Sequence, residues 1–81
     1  MTRSDILAII NAIMVKKGRA EIRDEAQATR EVNFRSLDFS ETALRIENQI
    51  GRELSFEAAA MRKIETIRDV LDFFEGATVV A

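Results

Sequence analysis

Ser36 is the side chain whose setting singles it out for chemistry. It lies in Phe34-Arg35-Ser36-Leu37-Asp38-Phe39, at the start of a stretch patterned as a helix to about Ile50. A serine there has two uses. Its oxygen can accept a hydrogen bond from an unpaired first-turn amide and so act as an N-cap. Its hydroxyl is also displayed at the positive end of a helix, where backbone N–H groups and the dipole favour a phosphate. The chain has no histidine and no cysteine, so the commonest general base and a protein thiol are both missing. No acid–base constellation can be assembled, and the chain is expected not to be an enzyme. Thioester chemistry would need a thiol brought by an attached group.

The element that must position Ser36 is the helix that follows it. At 100° per residue, Phe39, Ala43, Ile46 and Ile50 share a narrow sector that should face a core. Leu37 and Leu44 fall nearly opposite, beside Ser40, Glu41, Glu47 and Asn48. Two leucines so placed read either as a partner-docking strip flanked by acids or as residues covered by a preceding loop.

Three further helices are expected around this one. The first starts after Thr2 or Ser4, where Thr2-Arg3-Ser4-Asp5 resembles a capping box. Ile6, Ile9, Ile10, Ile13 and Met14 give it one apolar stripe. Lys16 and Lys17 suit its last turn, and Gly18 can end it. Residues 19–34 read mostly as loop, with a helical turn somewhere in 23–28 and with Ile22, Val32 and Phe34 tacking it onto the core. Gly51 fits just past the second helix. Leu54 and Phe56 then turn inward, Ser55 caps a short third helix to about Ala60, and Ile64 returns the chain to the core. Thr66, with Asp69 three residues later, caps a fourth helix whose buried face is Ile67, Val70, Leu71, Phe73 and Phe74. Gly76 is expected to end it, leaving a short apolar tail at 77–81.

Composition bounds the rest. The chain has 81 residues, no proline and three glycines, which describes a single all-α domain with uninterrupted helices. The net charge of −2 is interspersed in sign, unlike the clustered basic face of a nucleic-acid binder. No apolar run reaches membrane-spanning length and no secretory leader is apparent. The expectation is a free-standing cytoplasmic monomer.

Ser36-Leu37-Asp38, Glu41, Glu47 and Gly51, then Leu54 and the stretch from Ser55, and Ile64-Glu65-Thr66-Ile67-Arg68-Asp69-Val70 resemble the acyl carrier protein family. The resemblance covers nearly the whole chain and is strongest over 34–74. It implies a four-helix acyl-carrier-like bundle with a long first loop and a short third helix, residues 1–81 forming one carrier domain. It implies that Ser36 bears 4'-phosphopantetheine, donated by coenzyme A through a phosphopantetheinyl transferase. Acyl groups would ride as thioesters on that arm between acyl-loading, acyl-transferring and condensing enzymes. Since the family meets its enzymes through the second helix, the implied docking set is Arg35, Leu37, Asp38, Glu41, Leu44 and Glu47. No metal is implied. A bundle can also shelter an acyl chain between its helices.

One departure is plain. The family usually has Asp before the modified serine, and Arg35 stands there. With the mild net charge, this points to a specialised polyketide, lipopeptide or fatty-acid-like pathway of natural-product type. Two alternatives remain beside it: an aminoacyl carrier, including the D-alanyl type, and a helical interaction module that is never modified.

Overall fold

Thr2 starts the first helix through the reciprocal bonds its sequence spells. The Asp5 amide donates to Thr2 Oγ1 at 3.2 Å and the Thr2 amide to the Asp5 carboxylate at 2.8 Å. The computed structural model describes residues 1–54 and 58–79. Its helices are α1 (Arg3–Lys16), α2 (Ser36–Ile50), α3 (Ala58–Arg62) and α4 (Ile67–Val79). α1 packs against both α2 and α4. This is the all-α bundle expected, with a long first loop and a short third helix. Among the described residues no helix is long and apolar enough to cross a membrane.

The apolar stripes meet in one core. Ile6, Ile9, Ile10, Ile13 and Met14 of α1 are buried, as are Phe39, Ala43 and Ile46 of α2 and Ile67, Val70, Leu71 and Phe74 of α4. Ile50 and Phe73 are partly buried against them. Phe39 stacks between α4 rings, 4.7 Å from Phe74 and 5.3 Å from Phe73, which ties the start of α2 to α4. Each fully buried aromatic or aliphatic side chain contributes about 1.5–3 kcal/mol relative to exposure.

The first loop is held by named bonds rather than by helix. Ile22 and Phe34 are buried and Val32 packs on the core. Asn11 of α1 serves as a surrogate neighbour for Ile22, accepting from its amide at 2.7 Å and donating to its carbonyl at 3.3 Å. The helical turn expected in 23–28 is a single hydrogen-bonded turn, Gln27 N to Asp24 O at 3.1 Å. The loop then pairs with the chain before α4 through an antiparallel bridge, Ala28 to Thr66. Its carbonyls also accept from the first turn of α4: Ile67 N to Gln27 O at 3.0 Å and Arg68 N to Glu25 O at 2.7 Å. The Arg3 guanidinium fastens the same region, reaching Glu25 at 3.1 Å, Asp72 at 2.7 Å and Glu75 at 2.8 Å.

The caps mostly fall where expected. Gly51, in the left-handed region at φ 74°, closes α2 with its amide on Glu47 O at 2.9 Å. Thr66 and Asp69 exchange the two bonds of a capping box at 3.2 and 3.0 Å. Two boundaries differ. α3 ends at Arg62 rather than near Ala60, while the expected cap Ser55, with Phe56 and Glu57, lies outside the described residues. Gly76 does not end α4, which continues to Val79. A donor from elsewhere explains the extension: Arg52 Nη2 reaches the carbonyls of Ala77 and Thr78, each at 3.4 Å, where a helix end would otherwise leave acceptors unpaired.

Candidate functional site

α2 begins one residue earlier than a capping serine would require. Ser36 is its first helical residue, and Arg35 occupies the N-cap with φ −107° and ψ 177°. The expected N-cap role of Ser36 is therefore corrected. The reason is Asp38, three residues past Arg35, whose carboxylate accepts from the Arg35 amide at 2.8 Å and so fixes the cap there. Arg35 cannot return the favour, because a guanidinium has only donors. Among the described residues no side chain caps the first-turn amides of α2, which leaves the positive helix end beside an exposed Ser36 hydroxyl.

A cleft of about 150 Å³ opens beside Ser36. Phe39, Phe34 and Val70 form its apolar wall, Met61 and Ile64 close the side toward α3, and Arg35, Thr29 and Ser36 stand at the lining's polar part. Met61 and Ile64 are only partly buried. None of these residues except Arg35 and Ser36 was marked as part of a site by the sequence. Phe34 and Ile64 were legible as core, but that they share a cleft depends on the tertiary placement of the segment from Met61 to Ile64 beside the start of α2.

The docking set expected from the sequence is split by the structure. Leu37 and Leu44 are 78% and 60% exposed, opposite the buried Phe39–Ala43–Ile46 stripe, and the first loop covers neither. Arg35 is exposed as well. Asp38 is not part of any surface: it is 1% exposed. This corrects its place in the docking set, and the physical cause is a pair of cations that the sequence did not connect to it. Lys17 Nζ donates to one Asp38 oxygen, and Arg19 Nη1 to the other at 2.7 Å. Burial pushes the Asp38 carboxyl up, but the Arg35 amide, Lys17 and Arg19 outweigh it and hold the carboxyl below its ordinary value. The bond to Asp38 in turn raises the Lys17 ammonium.

Glu41 and Glu47 are half-buried and already engaged. Glu41 lies 3.0 Å from Arg45, 3.4 Å from Lys17 and 3.7 Å from Lys16. Its partial burial pushes its carboxyl up, and Lys16 and Lys17 more than reverse that. Glu47 accepts from the Leu54 amide at 2.6 Å, bracing the turn after α2. The sequence carried one signal for the buried Asp38: its spacing from Arg35 is that of an N-cap and its third helical residue. Nothing local marked Lys17 and Arg19 as its partners. Among the described residues no cluster of three or more metal-ligating side chains converges.

What the arrangement can do is present a primary hydroxyl at a helix start that no described side chain caps, next to an apolar cleft. A comparison with family models gives no match. An acyl carrier protein of Thermosynechococcus vestitus is 33% identical over 79 residues, spanning 94% of this chain and 95% of that protein. The crystal structure of an acyl carrier protein from Thermotoga maritima superposes with a TM-score of 0.71, at 25% identity over 96% of this chain and 92% of the other.

Proposed function

The chain belongs to the acyl carrier protein family, and we propose that it carries acyl groups as thioesters on a 4'-phosphopantetheine arm joined to Ser36 Oγ. The observation that carries this reading is the exposed Ser36 hydroxyl at an uncapped α2 start, with an apolar cleft beside it. The residues fit the group. The free first-turn amides and the Arg35 guanidinium suit a phosphate, and the cleft suits an acyl chain. When attached, the arm supplies the thiol that a chain without cysteine lacks.

The chain's own part is presentation. Loading joins Ser36 Oγ to the phosphorus on the pantetheine side of coenzyme A, with loss of the nucleotide half. The hydroxyl proton must leave to a base of the transferase, since Asp38 is turned inward and held by Lys17 and Arg19. The contact of Phe39 with Phe73 and Phe74 of α4 holds the start of α2 in place, and tethering raises the local concentration of cargo at each enzyme. An apolar cavity near 150 Å³ holds a guest the size of benzene, so the cleft accommodates about six carbons without repacking. Arg35, in place of the family's usual Asp, supports a specialised polyketide, lipopeptide or fatty-acid-like pathway.

The test is the intact mass after incubation with coenzyme A and a broad-specificity phosphopantetheinyl transferase. The native protein is expected to gain one arm and Ser36→Ala none. Because Ser36 is exposed and not the cap, Ser36→Ala should change stability by no more than about 0.5 kcal/mol, which far-ultraviolet circular dichroism checks. An arm still attached to Ser36→Ala would move the site, with exposed Ser40 next in line. No arm on the native protein would leave the unmodified interaction module.

A further inference from the structure

A second cleft, of about 260 Å³, adjoins the one beside Ser36. Thr29, Arg30, Asn33, Phe34 and Arg35 line it, and it shares Thr29, Phe34 and Arg35 with the first. A closed turn builds it. The Phe34 amide donates to Thr29 O at 2.8 Å and the Asn33 amide to Arg30 O at 3.4 Å. Asn33 takes the left-handed region at φ 60°, where asparagine is several-fold enriched over most residues. Its carbonyl accepts from Arg19 Nη1 at 2.7 Å, and buried Phe34 roots the turn in the core. The turn thereby brings Arg30 to the same cleft as Arg35.

Both arginines are exposed, and among the described residues neither forms an ion pair. The acids near them are held elsewhere or stand apart. Glu31 accepts from the Ala28 amide at 3.0 Å. Asp38 is buried under Lys17 and Arg19. Glu65 borders a groove that Arg30 also lines, without an ion pair between them.

We propose that Arg30 and Arg35 together grip the phosphodiester of an arm on Ser36 and so lay the root of that arm along this turn. The inference rests on the carrier reading of Ser36, and adds to it a second arginine and a direction for the arm. A guanidinium offers a planar fork of N–H donors that matches phosphate oxygens. A phosphodiester keeps one negative charge and two unesterified oxygens, so each arginine has an oxygen to meet. An exposed pair with a free phosphate is weak and screened by salt. A phosphate tethered at the adjoining serine stands at an effective concentration of about millimolar or more, and the same weak pair then closes within the molecule. A partner's carboxylate would find the same donors, but nothing tethers it there. Arg35 lines both clefts, so an arm held at Arg35 starts beside the apolar wall of Phe34 and Phe39. An enzyme must replace the grip with contacts of its own to draw the arm out.

The test compares the loaded native protein with loaded Arg30→Gln, Arg35→Gln and the double variant by phosphorus NMR. A short peptide bearing the same arm on a serine is the unheld reference. The native resonance is expected to be displaced from that of the peptide and the double variant's to fall back to it. Salt at about 0.5 M should move the native resonance the same way. Arg35→Lys keeps the charge but not the fork and should retain part of the displacement. Loading should also shift the amides of Thr29 and Asn33 in the native protein and not in the double variant. All variants should melt like the parent, both side chains being on the surface. A native resonance matching that of the peptide, or a displacement that survives in the double variant, overturns the proposal. Loading itself is read from intact mass. Loading without the displacement leaves the carrier reading standing and removes the grip. If nothing loads, the carrier reading falls, and the phosphate site is judged on the unmodified protein. Free 4'-phosphopantetheine should then shift the Thr29 and Asn33 amides at roughly tenfold lower concentration than pantetheine, which lacks the phosphate; equal potency of the two overturns the site as well.

Discussion

Asp38→Asn measures how far the start of α2 depends on one buried carboxylate. Asp38 is 1% exposed and accepts from the Arg35 amide at 2.8 Å, from Arg19 at 2.7 Å and from Lys17. Asparagine keeps one oxygen and turns an amino group toward a donor, so at least one charge-assisted bond goes and another weakens. Hydrogen bonds to charged groups contribute about 1.5–3 kcal/mol each. The stranded cations are 30% and 29% exposed and can turn to water, so the cost stays at the lower edge of the roughly 3–5 kcal/mol seen when a buried charge is left alone. A loss of about 3 kcal/mol follows. In a domain of this size it lowers the melting temperature by roughly 12–24 °C, at about 4–8 °C per kcal/mol. Urea denaturation at neutral pH reads the loss directly. The pH dependence adds a sign. Folding holds the Asp38 carboxyl below its ordinary 3.8, and such a group stabilises above its unfolded pKa and ceases to as pH falls through the folded one. The gap between parent and Asp38→Asn should be full above about pH 5 and narrow below about pH 4. A loss under about 0.5 kcal/mol, the range of a surface substitution, would refute the reasoning. So would a gap that stays constant on acidification.

Gly76→Ala should stabilise by about 0.5–1 kcal/mol, because Gly76 lies within α4 and an added Cβ meets nothing within 4 Å; a lower urea midpoint would contradict the helical backbone there. Leu44→Ala should leave the thermal midpoint almost unmoved, within about 0.5 kcal/mol, whereas a loss of about 2–5 kcal/mol would mark a core residue. In a series of acyl-loaded proteins, the melting temperature should rise with chain length to about six carbons and then level off. A rise that continues well beyond that would show the Ser36 cleft opening to admit more.

The legible parts were those governed by near neighbours. The α1 stripe from Ile6 to Met14 and the capping boxes at Thr2 and Thr66 follow from periodicity and cap chemistry, which act within a few residues. The exposure of Leu37 and Leu44 followed from the phase of the same helix that buries Phe39 and Ile46. What stayed hidden depends on residues brought from afar. Asp38 looked like a surface acid because nothing beside it reveals that Lys17 and Arg19 close over it. Gly76 looked like a stop because glycine usually is one, but Arg52 supplies donors to the carbonyls beyond it. The path of residues 19–34 had no period to read, since its bonds to Asn11, Glu65 and the start of α4 are all tertiary. The cleft beside Ser36 shares that origin: its lining is assembled from the first loop, α2, α4 and the segment from Met61 to Ile64.

The first turn of α4 is completed by carbonyls of Gln27 and Glu25, from the other half of the sequence. A helix usually finds its first-turn partners in adjacent residues or in water. Here the helix and the distant loop finish each other, so neither has its full set of bonds while the other is unformed. Closing a segment of that separation costs chain entropy before any bond repays it. The amides of Ile67, Arg68 and Thr29 all donate across this one seam, so they are expected to exchange with solvent as a group, at rates that hydrogen exchange reads. The loop thus serves as the missing turn that precedes α4, and closure entropy grows so slowly with length that a residue added at its exposed tip should leave this seam intact.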